Sequence, residues 1–523
     1  MQLKTFCCNL AWFTSQAPAF RRFRRALAEP AQTQQAVLFR ILRANSGSVF
    51  GRQNAFATVS SVREYQLRVP LSSYDDHERW VARIRAGESG VLTTAPVRRL
   101  APTSGSSDAV KLVPYTDALQ QEFAAAIGPW VYDLFRSDPP LMAGPAFWSV
   151  TPKLQPLCIG SAIPIGFDED TDYLGGLWKP LVEATLAVPS SVSRIKEMAA
   201  FRRATLLYLL QAPELRLISV WHPSFLSLLL EHMEEDWEEL LGQVRDLRRR
   251  SALLDCGPRD VAAIWPKLRL ISCWADGPAA LGASRLRKTF QHVKLQPKGL
   301  LATEAFVTIP FAGAHPLALS SHFFEFLDRH DHPHLAEDLS VGSEYSVVVT
   351  TGGGLYRYRL GDRVRVADRI ERTASLEFIG RELGLVDLFG EKLNEQFVAG
   401  ALTTVLAKHR LEEKFAMVVP EMTADAGQYT VFLECAQEFP KDLAQDLEQR
   451  FRSNPHYALC VSLGQLRPLV VEQVKPGAFG RYLAWCSHKG MRIGNVKPLV
   501  LCAETGISEV LRGAPEHGHK RMP

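Results

Sequence analysis

The chain has 523 residues, of which 46% are hydrophobic and 22% charged, the balance of an ordinary globular protein. Its 60 basic and 56 acidic residues leave a formal net charge of +4, so the charge balance demands neither a nucleic-acid partner nor an acidic surface. The length exceeds that of one typical domain, and we expect two or three. This composition excludes disorder along the whole chain.

The nine cysteines are scattered along the chain and include no C-x-x-C pair. We therefore expect reduced thiols and a cytoplasmic location rather than a disulfide framework. No apolar run approaches the roughly 18 residues that a membrane span needs, so no membrane partner is expected. Residues 1–19 fit a signal peptide poorly, because their apolar patch is short, contains Asn9 and is followed by a cluster of arginines.

Apolar periodicity predicts the first elements. Residues 20–43 carry apolar side chains three or four apart, which predicts one helix that ends near Asn45. Three short apolar runs predict buried strands; these are residues 146–150, 215–221 and 268–274. Between the last two strands, an apolar stripe from Pro223 onward predicts the longest helix, with the arginines of residues 248–250 at its carboxyl end.

The second half of the chain changes its pattern. A hairpin is expected around the glycines of residues 352–354, with one strand before them and two after them; these strands are residues 345–351, 355–360 and 363–367. After residue 384, helix and strand patterns alternate and predict a smaller α+β unit; they are helices at 391–409 and 440–451 and strands at 415–420 and 428–435.

Strand–helix–strand alternation indicates an α/β fold with a parallel or mixed sheet that is covered on both faces. We expect a large amino-terminal domain at residues 1–382, a small carboxy-terminal domain at 383–512 and a disordered tail at 513–523. The glycine-containing stretch 380–390 is the candidate hinge between the two domains.

The strongest chemical signal is a loop rich in hydroxyl groups that ends at Lys111. Its residues are Thr103, Ser104, Gly105, Ser106, Ser107 and Asp108, followed by Ala109 and Val110. Hydroxyl and backbone donors beside a lysine can surround a polyphosphate, although the spacing is not that of a Walker loop. An ordinary surface turn has the same composition, so the loop alone leaves both interpretations open.

Three weaker signals follow. Thr303 and Glu304 come directly after a strand-like segment, and a carboxylate there is a plausible Mg²⁺ ligand or an ordinary solvated acid. Asp362 follows Gly361 at the end of the hairpin and could accept hydrogen bonds from a ribose diol, or could pair with Arg359 or Arg363. The fourth signal is acidic and consists of Gly390-Glu391-Lys392 with Glu395. It could be part of a site, or it could be a helix start with acidic residues near the positive end of the helix dipole.

In this order, the four motifs resemble those of adenylate-forming enzymes. More closely, they look like the Gretchen Hagen family of acyl-acid amido synthetases, the auxin- and jasmonate-conjugating group, and we expect a bacterial-type member of it. The resemblance extends to other strings of the sequence, which are residues 50–52, 69–75, 87–93, 219–226 and 323–326. It therefore covers nearly the whole chain, from about residue 50 to about residue 498.

The resemblance implies a multi-sheet amino-terminal domain that binds ATP and a carboxylic acid, and a small mobile carboxy-terminal domain. By position, the hydroxyl-rich loop with Lys111 would hold phosphates, and Thr303 and Glu304 would serve the phosphates and Mg²⁺. Asp362 would bind the ribose. Arg381 would stand at the hinge, and Lys497 would approach the reacting phosphate from the small domain.

Three positions depart from the family pattern. Asp108 stands where the phosphate loop usually has glycine, and an acid pointing inward would weaken ATP binding. Leu300 replaces the aromatic ring that commonly packs against adenine. The hinge has residues 382–384, Glu-Leu-Gly, in place of the usual acidic pair, so a domain rotation would use the glycine.

The resemblance implies an enzyme that adenylates a carboxylic acid with ATP and transfers the acyl group to an amine, in most cases an amino acid. Two alternatives stay open. One is an adenylate-forming ligase that delivers the acyl group to coenzyme A, and the other is a non-catalytic relative that binds a nucleotide or an acyl group. The sequence does not specify the acid, the amine or the oligomeric state.

Overall fold

The computed structural model describes most of the chain. The described residues are 2–102, 111–149, 161–166, 182–195, 197–381, 385–386, 388–389, 391, 393–422, 426–489, 491, 496, 499–504 and 506–513. They form two compact units, a larger one at residues 1–276 and 282–378 and a smaller one at residues 277–281 and 379–523. The domain boundaries expected from the sequence stay a prediction.

The larger unit begins with five helices. They are α1 (Gln2–Ala28), α2 (Pro30–Asn45), α3 (Val49–Gln53), α4 (Val62–Arg68) and α5 (Tyr74–Arg85). The prediction of one helix over residues 20–43 was wrong, because the helix divides at Glu29 and Pro30 starts α2. A proline fits the first turn of a helix, where its missing N–H would have had no intrahelical partner. The predicted end near Asn45 is confirmed.

A short antiparallel pair leads into the next long helix. Strands β1 (Arg99–Pro102) and β2 (Leu112–Tyr115) pair with Ala101 opposite Val113. The hydroxyl-rich loop between them lies outside the described residues. Helix α6 (Asp117–Ser137) follows, and the side chain of Thr116 caps it by accepting the N–H of Leu119.

Four parallel strands form the second sheet. They are β3 (Ala146–Trp148), β4 (Leu217–Ser219), β5 (Leu270–Cys273) and β6 (Lys294–Pro297), in that spatial order. The three buried strands predicted from apolar runs are confirmed. The helices of this region are α7 (Met198–Leu210), α8 (Pro223–Glu235), α9 (Trp237–Gln243), α10 (Leu247–Cys256), α11 (Val261–Ile264) and α12 (Ala280–Thr289).

The single long helix predicted after Pro223 was wrong. The chain breaks twice there, and the carboxylate of Asp246 accepts the N–H groups of Arg248 and Arg249 to start α10. These arginines therefore lie in a first helical turn rather than at a carboxyl end. The longest helix of the described residues is α1, with 27 residues.

Five antiparallel strands form the third sheet, in the order β11-β10-β9-β7-β8. They are β7 (Phe323–Leu327), β8 (Pro333–Leu335), β9 (Glu344–Thr350), β10 (Tyr358–Ile370) and β11 (Thr373–Arg381). The predicted turn at residues 352–354 is confirmed. The two strands predicted after it are one strand, because a bulge between Arg359 and Arg363 absorbs the break.

The smaller unit is α+β, as predicted. Its strands β12 (Leu385–Val386) and β13 (Leu393–Asn394) pair with each other, and β14 (Glu413–Met422), β15 (Gly427–Cys435) and β16 (Leu466–Gln473) form a mixed sheet. Its helices are α13 (Glu395–Lys408), α14 (Leu443–Phe451), α15 (Pro455–Ser462), α16 (Ala478–His488) and α17 (Ile507–Arg512). Among the described residues of the whole chain, no helix combines the length and hydropathy needed to cross a membrane.

A buried ion pair fixes the start of β10 in the larger unit. The guanidinium of Arg357 donates to both oxygens of Glu325 at 2.9 to 3.2 Å, and these side chains are 6% and 1% exposed. Its remaining terminal nitrogen donates to the carbonyls of Gln66 and Val69. The backbone of Arg357 has φ +46°, a conformation that a non-glycine residue adopts only under such constraint.

We expect Glu325→Gln to lower the free energy of unfolding by about 3 kcal/mol, because it leaves the Arg357 charge buried without its counter-ion. Urea unfolding of the full chain measures this change. The matched control is Glu344→Gln on β9, which removes the half-exposed pairs with Arg363 and Arg365 and should cost under about 1 kcal/mol. Equal losses in the two variants would contradict the assignment of Arg357 and Glu325 as the anchor.

Candidate active site

Lys111 directly precedes β2 and is half-buried. Its ammonium lies 5.7 Å from the ring centroid of Tyr74, the distance of a cation–π contact. The Tyr74 hydroxyl in turn accepts the backbone N–H of Leu112 at 2.8 Å. Tyr74 therefore holds both the side chain of Lys111 and the backbone that follows it.

The segment that carries Tyr74 also reaches β10. Ser72 donates its backbone N–H to the carbonyl of Arg357 at 2.9 Å and accepts the N–H of Arg359 at 2.8 Å. Its hydroxyl donates to the carbonyl of Tyr356. Residues 69–75, one of the strings behind the family resemblance, thus join the Lys111 segment to the strand of Asp362.

Asp362 is buried in the bulged part of β10, with 3% of its surface exposed. Gly361, directly before it, has φ +74°, the left-handed conformation that favours glycine and turns the strand at this point. Each of the two neighbouring arginines has an ion pair with another acidic residue. Arg359 forms its ion pair with Asp331 at 3.2 Å, and Arg363 pairs with Glu344 at 2.8 Å.

Thr303 and Glu304 form the tip of a short antiparallel turn. Leu301 bridges to Phe306, and the N–H of Ala302 donates to the carbonyl of Ala305 at 3.0 Å. Both tip residues are half-buried, whereas Leu301 and Phe306 are buried in the core of the larger unit. The base of the turn thus packs on apolar side chains, and the hydroxyl and carboxylate lie at its end.

Leu300, one of the departures from the family pattern, is 6% exposed and belongs to the same core cluster. Its N–H donates to the hydroxyl of Thr308 at 2.8 Å, and its carbonyl accepts the N–H of Val307 at 3.0 Å. Its place in the structure is explained by packing and by these backbone bonds. The aliphatic side chain stabilises the base of the turn and supplies no ring for stacking.

One buried carboxylate connects the motifs. Glu122 on α6 is 3% exposed and accepts the N–H of Gly352 with both oxygens, at 3.0 and 2.9 Å. It also bonds to Nδ1 of His322 at 3.0 Å, and Nε2 of His322 accepts the N–H of Phe306 at 3.3 Å. We call Glu122, His322, Gly352 and Phe306 the Glu122 network. Arg40 adds an ion pair to Glu122 at 3.6 Å.

The Glu122 network also defines the state of His322. Because Nε2 accepts a backbone N–H, it carries no proton, and Nδ1 is the nitrogen that donates to Glu122. In a protonated imidazole Nε2 would also be a donor and could not accept the N–H of Phe306. The network therefore requires a neutral His322, with the carboxylate charge met by Arg40 and by backbone donors.

Glu122, His322 and Glu325 were not predicted as site residues from the sequence. A signal for Glu122 was present, because it lies among the apolar positions of α6 beside Phe123, where a charged residue needs a buried partner. The partner could not be identified, since His322 lies 200 residues away in the chain. Glu325 likewise stands within the apolar run Phe323–Leu327.

The remaining predicted residues divide between the units. Arg381 ends β11 and belongs to the smaller unit. Lys497 lies outside the described residues, as do the loop residues from Thr103 to Ser107 and Asp108. Of the predicted site residues, the larger unit thus holds Lys111, Thr303, Glu304 and Asp362 on segments that the Glu122 network and Ser72 connect.

The fourth motif has a structural explanation. Glu391 is fully buried, and its carboxylate accepts the N–H groups of Leu388 and Phe389 and the hydroxyl of Tyr429. Glu395 is the first residue of α13, and its carboxylate accepts the N–H of Val500 at 2.9 Å. The alternative interpretation of this motif, a helix start, is confirmed.

The fold is similar to that of a solved CoA ligase. A solved 2-hydroxyisobutyryl-CoA ligase in its postadenylation state matches with a TM-score of 0.51 at 13% identity, covering 94% of this chain and 93% of that one. Models of the GH3 family match three consecutive regions, the amino-terminal domain at residues 19–295, the central domain at 315–381 and the carboxy-terminal domain at 396–505. The chain belongs to the GH3 family.

Individual members of the family agree with this assignment. The probable indole-3-acetic acid-amido synthetase GH3.12 of Oryza sativa subsp. japonica is 23% identical over 94% of both chains. The solved GH3.15 acyl acid amido synthetase has a TM-score of 0.83 at 19% identity and covers 94% of this chain and 95% of its own. The predicted family and fold class are confirmed, and assignment to a bacterial-type branch stays a prediction.

We expect Glu122→Leu to lower the free energy of unfolding by about 3 kcal/mol, because it leaves the N–H of Gly352 and Nδ1–H of His322 buried without acceptors. Hydrogen exchange should also become faster at the amides of Phe306 and Gly352. Asp117→Asn on the same helix is the control, since its pair with Arg98 is more than half exposed. Unchanged exchange at Phe306 in Glu122→Leu would contradict the role of the network.

Proposed function

We propose that this protein is an AMP-forming ligase that adenylates a carboxylic acid with ATP and transfers the acyl group to the amino group of an amino acid. The observation that carries the proposal is the Glu122 network, which connects α6, the Thr303–Glu304 turn and the turn before β10 within one unit. Family membership supplies the reaction class. The eight described cysteines are free thiols, in keeping with the cytoplasmic location that we propose.

In this proposal Lys111 and the preceding hydroxyl-rich loop bind the phosphates of ATP, and Asp362 accepts hydrogen bonds from the ribose. The ammonium of Lys111 offsets negative charge as pyrophosphate departs. The contact with Tyr74 limits the conformations of the lysine, which lowers the entropy lost when a phosphate binds. Arg381 as the hinge arginine and Lys497 as the lysine of the small domain remain part of the proposal.

The residues at the 301–306 turn fit a magnesium ion. Glu304 offers a carboxylate and Thr303 a hydroxyl, both at the half-buried tip, and Mg²⁺ prefers one or two carboxylates together with substrate phosphates and water. A bound ion would neutralise part of the triphosphate charge. The turn itself holds the carboxylate in place through its bridged base.

The reaction proceeds in two displacements. A carboxylate oxygen of the acid bonds to the α-phosphorus of ATP, and the bond from that phosphorus to the bridging oxygen breaks, releasing pyrophosphate. The amine nitrogen then bonds to the carbonyl carbon, AMP leaves with the electrons of the anhydride bond, and the amine loses a proton. Neither step needs a covalent enzyme nucleophile, and water must be excluded while the anhydride exists.

Acid-dependent exchange of labelled pyrophosphate into ATP tests the first step, with a panel of aromatic, aliphatic and hydroxy acids. Release of AMP with amino acids, compared with release with coenzyme A, tests the second. We expect exchange with at least one acid and stimulation by an amino acid. Stimulation by coenzyme A alone would indicate that the product is a thioester and not an amide. ATP binding without exchange for any acid would indicate a non-catalytic protein.

We expect Lys111→Ala and Glu304→Ala to lower the exchange rate by at least 100-fold, because each removes a charge that acts on the triphosphate. Both side chains are half-buried, so the unfolding transition should stay within about 1 kcal/mol of wild type. The controls are Lys267→Ala and Glu238→Ala, which change exposed residues of the same unit. Exchange retained in both site variants would remove their proposed roles.

A further inference from the structure

Side chains from all four parallel strands line up at their carboxyl ends. Trp148 on β3 is in register with Ser219 on β4, Ser219 with Ser272 on β5, and Ser272 with Gln296 on β6. Residues in register have their side chains on the same face of a sheet, and so do residues two apart on one strand. Trp221 and Lys298 therefore extend this row past the ends of β4 and β6.

Lys298 lies in a cage of three indole rings. Its ammonium is 5.0 Å from the ring centroid of Trp130, 5.7 Å from that of Trp148 and 5.5 Å from that of Trp221. Trp130 comes from α6, which covers this face of the sheet, and its indole N–H donates to Gln296 at 3.1 Å. The ammonium also donates to the hydroxyl of Ser219 at 2.6 Å.

The cage buries the ammonium group of Lys298. Lys298 is 4% exposed, and no carboxylate of the described residues forms an ion pair with it. Burial lowers the pKa of Lys298 to about 7, and the nearby Cys273 thiol acts in the opposite direction. Removing an ammonium from water is costly even with cation–π contacts, so stability alone does not account for a lysine here.

The row contains two further buried donors. The hydroxyl of Ser272, which is 1% exposed, and the indole N–H of Trp148 are buried and have no hydrogen-bond partner among the described residues. Trp221, by contrast, is 36% exposed. Within the described part of the chain, these donors have no acceptors, the cation has no anion and the walls are apolar. This combination matches a ligand with an anionic head and a flat apolar body.

We propose that Lys298 binds the carboxylate of the acid substrate, with the apolar body of that acid packed among Trp130, Trp148 and Trp221. The inference rests on the proposed ligase function and adds the residue that recognises the acid. Ligands of parallel sheets bind at the carboxyl ends of the strands, where this row lies. Lys298 also stands only six residues before Glu304 in the chain, so the acid site adjoins the proposed triphosphate site in sequence.

Binding should depend on pH because only the ammonium attracts a carboxylate. The groups that face Lys298 from α6, β3 and β4 are indoles and the Ser219 hydroxyl, which do not titrate near neutrality. The thiol of Cys273 on β5 also influences Lys298, and burial raises the pKa of this thiol to about 12. Above pH 7, the apparent Kd of a carboxylate should therefore rise up to tenfold per pH unit, and the Kd of a neutral analogue should not change.

The test is a tryptophan-fluorescence titration of the full chain, without ATP, using benzoate, phenylacetate and 2-naphthoate with their neutral amides. We expect at least one carboxylate to bind, and Lys298→Met to raise its Kd at least tenfold while changing the Kd of the amide less than twofold. Lys294→Met, an exposed lysine on the same strand, is the control and should match wild type. Failure of all three carboxylates to bind wild type would overturn the proposal.

Acid-dependent pyrophosphate exchange separates this proposal from the ligase function. We expect Lys298→Met to raise the KM of the acid at least tenfold with the KM of ATP unchanged. Exchange by wild type with an unchanged acid KM in Lys298→Met would overturn the role of Lys298 and leave the ligase standing. Lysine-dependent carboxylate binding without exchange for any acid would support the site and refute the ligase.

Measuring the Kd of the carboxylate and of its amide as a function of pH needs only wild-type protein. This test can therefore be made even if Lys298→Met does not fold. A carboxylate Kd that rises between pH 7 and pH 9, beside an amide Kd that stays constant, would support the proposal. A carboxylate Kd that stays flat over this range would overturn it.

Discussion

The arrangement of the larger unit depends on one buried carboxylate. Glu122 accepts hydrogen bonds from a glycine turn and from a neutral histidine that itself accepts from the turn of Thr303 and Glu304. A charge in this position is tolerable only while every one of these donors is in place. The carboxylate therefore couples the positions of three chain segments that are distant in sequence. If one of them moves, the hydrogen bonds to the others are lost.

The residues in and near the motifs have two different roles. Arg357 lies five residues before Asp362, and Glu391 belongs to the fourth motif. Both are buried and hold backbone groups through hydrogen bonds. Glu304, Thr303 and Lys111, by contrast, are half-buried. A motif of this kind thus combines residues that fix a strand or a loop with residues that are presented to a ligand.

Much of the fold could be predicted from local pattern. Three of the four strands of the parallel sheet are short apolar runs, and two helices and two strands of the smaller unit have clear periods, so these elements were found. The prediction of one long helix after Pro223 was wrong because the local cap at Asp246 outweighs a continuous apolar stripe. Glu122, His322 and the cage around Lys298 escaped prediction because their partners are brought together by tertiary packing, and no local pattern encodes that.

The central claim is that Lys111 and Glu304 act on the same nucleotide. A crystal structure of the full chain with Mg²⁺ and a non-hydrolysable ATP analogue tests it most directly. We predict the triphosphate within hydrogen-bond distance of the Lys111 ammonium, with the metal ion ligated by Glu304 and the ribose against Asp362. A nucleotide bound with these two side chains facing separate cavities would contradict it.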